Sequence, residues 1–240
     1  MVETCYKIPD APRLALLADL HGRPYQSVID SLQRHKPELI CIAGDIIYGV
    51  QPEDNRSPLD TQENVMPFLR ACSTISPSFL SLGNHERILD DEDLDRIRSC
   101  GITVLDNDYT TTGKIVIGGL TSAHCFSACN RVEEKVPYTA WLSSFTAVRG
   151  FHILLSHHPE YWSVISPYPI ELCLSAHAHG GQWRIFNHGV FAPGQGFWPS
   201  LTSGVHDGRL VISRGLSNTA KVPRLFNPTE VVYVEGTYIN

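Results

Sequence analysis

Residues 14–21 read LALLADLH, an apolar run that ends in an aspartate and a histidine. A run without alternation is typical of a strand that is covered on both faces of a parallel sheet. A helical pattern over Pro24–His35 and a second apolar run, Leu39–Ala43, follow directly along the chain. Strand, helix and strand in this order predict an α/β fold with parallel strands.

The rest of the chain continues this alternation, with more strands in its second half. Further strands are predicted at Phe79–Leu82, Ile102–Leu105, Lys114–Gly118, Phe151–Ser156 and Glu171–Ser175, with short ones near Trp183–Phe186, Arg209–Ser213 and Val231–Val234. Helices are predicted at Thr61–Ala71 (capped by Thr61), Asp91–Cys100 and Pro137–Val148, and a turn is predicted at Asn107. The mixture predicts two sheets packed face to face with helices outside. No repeat or linker divides residues 1–240, so a single domain is expected.

Composition excludes several classes of protein. Apolar residues make up 42% of the chain and charged residues 18%, against roughly 25% charged in a typical globular protein. The net charge of −6 argues against general nucleic-acid binding, which requires a basic surface. No stretch resembles a signal peptide or a transmembrane segment, so a cytoplasmic location is expected unless the natural chain carries an upstream signal or anchor.

The seven cysteines do not form a pattern of metal ligands or disulfides. No pair of C-x-x-C motifs is present, and Cys41 and Cys173 lie inside apolar runs, where a free cysteine behaves as a small hydrophobic residue. Cys125 and Cys129 are too isolated to predict a zinc site.

Polar side chains follow five of the predicted buried strands directly. They are Asp19 and His21, Asp45, Asn84 with His85 and Glu86, His157 with His158, and His177 with His179. The carboxyl ends of parallel strands meet at one edge of a sheet, where ligands bind. Because side chains alternate along an extended backbone, both members of the pairs Asp19/His21 and His177/His179 are expected to face one point. Glycines at positions 44, 83, 180 and 181 are expected to permit sharp turns there.

This combination of side chains predicts a metal site. Imidazoles mixed with carboxylate and amide oxygens, without thiolates, favour Mn²⁺, Fe or Zn²⁺ over Ca²⁺ or a structural zinc. Seven candidate ligands exceed the needs of one ion, whereas two divalent ions that share a carboxylate use them all: Asp19, His21, Asp45, Asn84, His157, His177 and His179. His158 is an alternative to His157. Each polar group alone has an ordinary explanation, such as a turn or a core histidine, but their common position does not.

In this order the residues resemble the motifs of the calcineurin-like metallophosphoesterases: D-x-H, G-D, G-N-H-D/E, a histidine at a strand end, and G-H-x-H. The resemblance spans Asp19 to His179. Ser175–Gln182 (SAHAHGGQ) and Ser213–Glu230, which contains RGL and PRLFNPxE, look like a subgroup of small bacterial phosphodiesterases. That subgroup includes enzymes proposed to act on lipid-linked pyrophosphates. The resemblance implies a four-layer α-β-β-α sandwich of two mixed sheets flanked by helices, and a small-molecule or lipid-linked phosphoester as substrate.

The resemblance also implies a role for each residue. One ion is assigned to Asp19, His21, Asp45 and His179, and the other to Asp45, Asn84, His157 and His177, with Asp45 as the bridge. A metal-bridging hydroxide is expected to attack phosphorus. His85 is implied as the histidine near the leaving group, where it donates a proton or stabilises charge. Glu86 is implied as the carboxylate that orients His85, and it is expected to raise the pKa of that histidine.

One departure from the family pattern concerns Ala176, which stands where glycine is usual. Its methyl group either crowds the strand end or shows that this backbone position needs no positive φ.

Further residues are candidates for contact with the substrate. Arg23 and Arg87 follow two of the polar strand ends and are able to hold a phosphate bidentately, although a solvated surface arginine is the alternative for each. His124 is a candidate to line the site, with an ordinary surface or core role as its alternative. The aromatic loop Phe191–Trp198 forms a lid, an apolar substrate wall, or ordinary packing.

The sequence therefore predicts a metal-dependent phosphoester hydrolase that acts on diesters or pyrophosphates. Two alternatives stay open: metal-dependent hydrolysis of a substrate without phosphorus, and a non-catalytic relative that serves as a protein-interaction scaffold. The metal pair, the natural substrate and the oligomeric state are not determined by the sequence.

Overall fold

A computed structural model of the chain describes residues 1–54, 56–124, 136–220 and 222–237. Its strands, numbered in chain order, are β1 Val2–Pro9, β2 Leu14–Leu17, β3 Leu39–Ile42, β4 Ser78–Ser81, β5 Ile102–Leu105, β6 Asp108–Thr112, β7 Ile115–Leu120, β8 Phe151–Ser156, β9 Leu172–Ser175, β10 Arg184–Ile185, β11 His188–Gly189, β12 Phe191–Ala192, β13 Gly196–Phe197, β14 Gly204–His206, β15 Leu210–Ile212 and β16 Glu230–Thr237.

The long strands form two six-stranded sheets. The first has the order β1-β16-β2-β3-β4-β5, in which β2 to β5 are parallel and β16 is antiparallel to β2. The second has the order β14-β15-β9-β8-β7-β6, in which β15, β9, β8 and β7 are parallel and both edge strands are antiparallel. The prediction of two mixed sheets is confirmed.

Helices cover the outer face of each sheet. They are α1 Gln26–His35, α2 Pro58–Thr61, α3 Val65–Ile75, α4 Asp91–Ser99, α5 Leu142–Ala147 and α6 Trp162–Ile165. Apolar residues of α1, α3 and α4 pack on the first sheet, and those of α5 and α6 pack on the second. None of the helices in the described part of the chain combines the length and apolar character that a membrane span requires.

The continuous apolar runs are explained by burial on both faces of the strands. Along β2, Leu14 and Leu16 point into the core between the sheets, whereas Ala15 and Leu17 point toward the helices. Since side chains alternate along a strand, a strand enclosed on both faces needs an apolar residue at every position. Three apolar layers thus separate four structural layers, which confirms the predicted α-β-β-α sandwich.

The predicted helix Thr61–Ala71 is wrong at its beginning. Thr61 is the last residue of the short helix α2, which Pro58 begins and the Ser57 hydroxyl caps by accepting from the Leu59 N–H. The next helix, α3, begins after Asn64. The Asn64 side chain does not cap α3 but donates to the Gly22 carbonyl (2.9 Å). This tertiary contact fixes where α3 begins, and capping preferences therefore predict the wrong residue.

Three strands of the two six-stranded sheets are absent from the sequence-based prediction: β1, β6 and β14, each at a sheet edge. The short strands β11, β12 and β13 are absent from it as well. β1 lies at an edge of the first sheet and its side chains are mostly half-buried or exposed, so it lacks an apolar run. β6 is a polar edge strand of the second sheet. The turn at Asn107, which has a left-handed φ of 51°, therefore carries the chain from one sheet to the other.

A core substitution tests the layer between the sheets. Leu174 is fully buried there, so Leu174→Ala should lower the free energy of unfolding by about 2–5 kcal/mol, measured by urea denaturation. Leu225 is 47% exposed, and Leu225→Ala should change it by about 0.5 kcal/mol or less. Equal losses in the two variants would contradict the assignment of Leu174 to the core.

Candidate metal centre

The predicted donors follow strands of both sheets at one edge of the sandwich. Asp19 and His21 follow β2, Asp45 follows β3 and Asn84 follows β4, all in the first sheet. His157 follows β8, and His177 and His179 follow β9, in the second sheet. The two sheets therefore supply complementary halves of one site.

Six of these side chains form two groups with closely spaced donor atoms. In each group, the possible ligand atoms lie within 4.8 Å of one another: Asp19, His21 and His179 in the first, and Asp45, His157 and His177 in the second. Asp45 connects them, because its Oδ2 lies 3.0 Å from His157 Nε2 and 4.0 Å from His21 Nε2. The arrangement provides two places for a cation with one carboxylate between them.

The two histidines of the H-x-H motif belong to different groups, so the prediction that alternation turns both toward one point is wrong for them. Their backbones are not extended: φ is 61° at His177 and 47° at His179. Asp19, His21 and Asp45 also have a left-handed φ, between 49° and 56°. Such backbone costs on the order of 1–3 kcal/mol at residues other than glycine and is concentrated at functional sites.

Hydrogen bonds to the backbone orient two of the imidazoles. His21 Nδ1 lies 3.1 Å from the Ile47 carbonyl, and His157 Nδ1 lies 2.7 Å from the Ala43 carbonyl. A carbonyl only accepts, so each Nδ1 carries a hydrogen and Nε2 is directed at the carboxylates. Metal-binding histidines commonly use their second nitrogen in this way.

Several buried atoms that are able to bind a metal have no hydrogen-bond partner among the described residues. They are both carboxylate oxygens of Asp19, His21 Nε2 and Asn84 Oδ1. Buried polar atoms are almost always hydrogen-bonded, and each exception costs about 1–3 kcal/mol. Divalent cations would satisfy these atoms together, and the mixture of imidazole nitrogen, carboxylate and amide oxygen suits Mn²⁺, Fe or Zn²⁺. The residues therefore fit the metal ions that the sequence predicts.

Burial keeps three of the histidines neutral. It lowers the pKa of His21 to about 3 and lowers the pKa values of His177 and His179 well below the usual range. A neutral imidazole retains a lone pair, which coordination to a metal requires.

The buried carboxylates of Asp19 and Asp45 raise the pKa of His157, in contrast to the three neutral histidines. Burial raises the pKa of Asp19 to about 7, so this carboxylate is costly to ionise without a cation. Burial also lowers the pKa of His157, but attraction by Asp45 and Asp19 outweighs that effect and raises it to about 10. Without a metal, the His157 imidazolium therefore supplies the positive charge that the carboxylates require.

His85 presents a hydrogen rather than a lone pair to the centre. The Gly49 N–H donates to His85 Nδ1 (2.7 Å), so the hydrogen of the neutral ring is on Nε2. That nitrogen lies 3.6 Å from Asp45 Oδ2. A protonated nitrogen does not bind a metal, so His85 differs from His21 and His157 although it lies beside them.

Glu86 fixes the backbone around Asp45. Its carboxylate accepts hydrogen bonds from the backbone N–H groups of Gly83 (2.8 Å), Asp45 (2.7 Å), Ile46 (2.7 Å) and Ile47 (3.3 Å). The prediction that Glu86 raises the pKa of His85 is wrong. Burial lowers that pKa, and the charge of Asp45 offsets the effect only in part.

His158 does not face the carboxylates of the centre. Its Nε2 lies 2.8 Å from Ser122 Oγ and its Nδ1 lies 3.0 Å from Glu160 Oε1, so both ring nitrogens have partners. The structure thus places His157, and not His158, against Asp19 and Asp45.

The three residues predicted to contact the substrate lie at different places around the centre. Arg23 is exposed and lines a cleft of about 800 Å³ that begins at His21. Arg87 is exposed in the turn Glu86–Ile88. The half-buried His124 ring lies 5.3 Å from the His158 ring, at the side of the centre.

The aromatic loop does not pack into the core. Phe197 is 83% exposed and contacts the Phe191 ring edge-on, and Trp198 is 61% exposed and stacks on the His188 ring, so both rings pack only on neighbouring rings at the surface. Cys125 and Cys129, for which no zinc site is predicted, lie outside the described residues.

Residues 12–181 match the family described as calcineurin-like phosphoesterase. The chain belongs to this family. An uncharacterized metallophosphoesterase of Bacillus subtilis, YkuE, is 26% identical over 234 residues, which are 92% of this chain and 78% of YkuE. The phosphodiesterase YaeI of Escherichia coli is 26% identical over 190 residues, which are 72% of this chain and 62% of YaeI. The chain therefore spans less than two thirds of YaeI.

A solved structure agrees with this membership at the level of the fold. The structure of a dimetal phosphatase from Danio rerio has a TM-score of 0.51 and 13% identity, and it covers 85% of this chain and 88% of the phosphatase. At this identity the likeness concerns the fold alone.

Ala176, which departs from the family glycine, is accommodated without strain. It is fully buried in the core between the sheets, and it is not among the residues with positive φ. Its N–H donates to the His157 carbonyl (3.0 Å). The methyl group contributes to packing, so the second of the two predicted explanations is confirmed.

Three residues between β15 and β16 that contact the centre were missed by the sequence analysis. Arg224 Nη2 donates to His179 Nδ1 (3.0 Å), and Asn227 Nδ2 donates to the His179 carbonyl (2.7 Å). Gly215 packs against Asp19. The signals available were the motif RGL, which contains Gly215, and the motif PRLFNPxE, which contains Arg224 and Asn227. Both supported the family resemblance, but no role was assigned to their residues.

A pair of glycines tests the contact with Asp19. A Cβ at Gly215 would lie 2.4 Å from Asp19 Oδ2, whereas a Cβ at Gly208 would meet nothing within 4 Å. Their φ values, 77° and 69°, make the backbone strain of an alanine similar. Gly215→Ala should therefore lower bound metal at least several-fold by elemental analysis, and Gly208→Ala should not. Full metal content in Gly215→Ala would show that Asp19 is not held in this position.

Proposed function

We propose that the protein is a hydrolase of phosphodiesters or pyrophosphates that acts with two divalent metal ions. The observation that carries the proposal is the position of Asp45, which lies within 4.0 Å of histidines from both donor groups. Family membership supports phosphoester hydrolysis as the reaction class. The proposed ligands are Asp19, His21, Asp45 and His179 for one ion, and Asp45, Asn84, His157 and His177 for the other. Because both sheets supply donors, we also propose that residues 1–240 form a single domain.

When bound, such ions generate a nucleophile from water at neutral pH and neutralise charge on the phosphoryl oxygens. The chain prepares the site through the neutral state of its buried histidines and through the left-handed backbone at Asp19, His21 and Asp45. Glu86 holds the Asp45 segment in place through its hydrogen bonds to the backbone, so its proposed contribution is positional.

His85 is proposed to stabilise the leaving oxygen by a hydrogen bond from Nε2–H. The Gly49 N–H occupies Nδ1, so a second ring hydrogen would require the loss of that bond. This contact favours the role of a neutral hydrogen-bond donor over that of a charged acid. A donor directed at developing negative charge acts without reorganisation, which is the principle of an oxyanion hole.

The substrate is proposed to extend on both sides of the phosphorus atom, as a small-molecule or lipid-linked phosphoester. The cleft that begins at His21 is lined by Arg23 and Tyr48 and provides room beside the centre. Arg87 and His124 are weaker candidates for contact with the substrate, because neither lines that cleft. The phosphodiesterase name of YaeI supports a diester for that relative, and we extend it to this chain as part of the proposal.

Two substitutions separate ligation from hydrogen-bond donation. With added Mn²⁺ the wild-type protein should approach two ions per chain by elemental analysis. Asp45→Asn should reduce the occupancy of both sites, because the bridge loses its charge. His85→Ala should retain the metal and lower kcat by about 10²–10³-fold, the usual effect of removing one such donor. If His85→Ala loses metal as completely as Asp45→Asn does, the assignment of these roles is wrong.

Activity toward paired nitrophenyl substrates tests the substrate class. We expect a higher kcat/KM for bis-aryl phosphodiesters or nucleotide-type pyrophosphates than for the matching monoesters, with Mn²⁺, Fe²⁺ and Zn²⁺ supplied separately. Both reactions use the same metal ligands, so the ratio reports contacts beyond the metals. A preference for monoesters with every metal would overturn the substrate class. No hydrolysis of any phosphoester by a fully metal-loaded protein would favour the scaffold alternative.

A further inference from the structure

Arg224 lies against the candidate metal centre with part of its guanidinium unsatisfied. Its Nη1 donates to the Arg214 carbonyl (2.7 Å), and its Nη2 donates to the Ser217 carbonyl and to His179 Nδ1 (3.0 Å). Its Nε is buried and has no hydrogen-bond partner among the described residues. A buried N–H group without an acceptor is costly, so this edge of the side chain is suited to a further ligand.

The charge of Arg224 also lacks a direct partner. The guanidinium of an arginine is not deprotonated in proteins, so the side chain is a cation. Within the described ranges, no carboxylate oxygen lies within 4.0 Å of its guanidinium, whereas the neighbouring Arg214 pairs with Glu230 at 2.7 Å. The carboxylates of Asp19 and Glu230 attract this charge only from a longer distance, so the guanidinium is able to pair directly with an anion.

Binding of a metal at His179 changes the contact with Arg224. Arginine has only N–H donors, so in the present arrangement His179 Nδ1 accepts and Nε2 carries the ring hydrogen. The His179 Nε2 atom is the one near Asp19, at 3.9 Å from Oδ1. If Nε2 binds an ion, the hydrogen moves to Nδ1, and two N–H donors then face each other. Arg224 Nη2 must leave this contact, which a side chain is able to do.

This behaviour distinguishes His179 from His85. The hydrogen-bond donor to His85 Nδ1 is the backbone N–H of Gly49, which is fixed by the loop. The donor to His179 Nδ1 is a side-chain N–H of Arg224, which is able to leave this contact by rotation of the side chain, without movement of the backbone. The same hydrogen-bond pattern therefore excludes metal binding at His85 but is reversible at His179.

We propose that Arg224 binds the phosphoryl group of the substrate through its Nε and Nη2 edge once the centre holds its ions. These two N–H groups lie on one side of the guanidinium and form a fork that matches two phosphoryl oxygens. The Nε–H has no acceptor, and one of the two Nη2 hydrogens loses its acceptor when His179 binds a metal, while the other stays on the Ser217 carbonyl. The inference rests on the proposed function, and it assigns the oxyanion contact to a residue outside the metal-binding motifs.

Phosphate binding by the metal-loaded protein tests the inference without reference to turnover. The probe is inorganic phosphate, titrated by calorimetry into protein that holds two equivalents of Mn²⁺. Arg224→Met should keep its metal and bind phosphate about 10–100-fold more weakly, as expected for the loss of hydrogen bonds to a charged group. Arg224→Lys should recover part of this loss, because it restores the charge but not the fork. Arg98→Met, at an exposed arginine on α4, should not change the affinity.

Three results would overturn the inference. The first is a wild-type phosphate affinity in a folded, metal-loaded Arg224→Met variant. The second is loss of metal from both Arg224→Met and Arg224→Lys, which would mean that Arg224 acts only through His179. The third result applies if Arg224→Met does not fold, in which case Arg224→Lys is the deciding variant. An unchanged phosphate affinity in Arg224→Lys would then overturn the inference. By contrast, metal-loaded wild-type protein that hydrolyses no phosphoester contradicts the proposed function, whereas weaker phosphate binding by Arg224→Met would still support this contact.

Discussion

Two carboxylates, Asp19 and Asp45, are buried where the two sheets meet, and the rest of the centre compensates for their charge. Charge in a protein interior is tolerated only when it is paired. In the structure, His157 provides the pairing, since its Nε2 lies 3.0 Å from Asp45 and 3.9 Å from Asp19. The neutral histidines and the unsatisfied oxygens of Asp19 provide the coordination that a metal would require in its place.

Placing these groups together imposes a cost on the backbone. Asp19, His21, Asp45, His177 and His179 all adopt a left-handed φ. The surrounding structure holds part of this conformation in place: Glu86 accepts hydrogen bonds from the backbone at Asp45, and Asn227 donates to the His179 carbonyl. Gly83 passes so close that a Cβ there would lie 2.2 Å from Asp45 Oδ1. The strain is therefore local, and rigid contacts on either side balance it.

The sequence predicts most of the sandwich because burial on two faces leaves a continuous apolar run. It does not predict β1 or β6, since edge strands such as these are paired on one side only and retain polar residues. The positions of the candidate ligands are predictable for the same reason, as each follows a recognisable run. Their division into two groups is implied by the family resemblance but does not follow from alternation, which assumes an extended backbone, whereas His177 and His179 are not extended.

What the sequence does not contain at all is the position of each histidine hydrogen. His21 and His85 have similar neighbours, yet the Ile47 carbonyl accepts from one Nδ1 and the Gly49 N–H donates to the other. The first contact leaves a lone pair directed at the centre, and the second leaves an N–H group. A single backbone group thus separates a candidate metal ligand from a candidate hydrogen-bond donor. The role of Glu86 could likewise not be predicted from its position beside His85 in the sequence. Its partners are backbone N–H groups that the fold brings near.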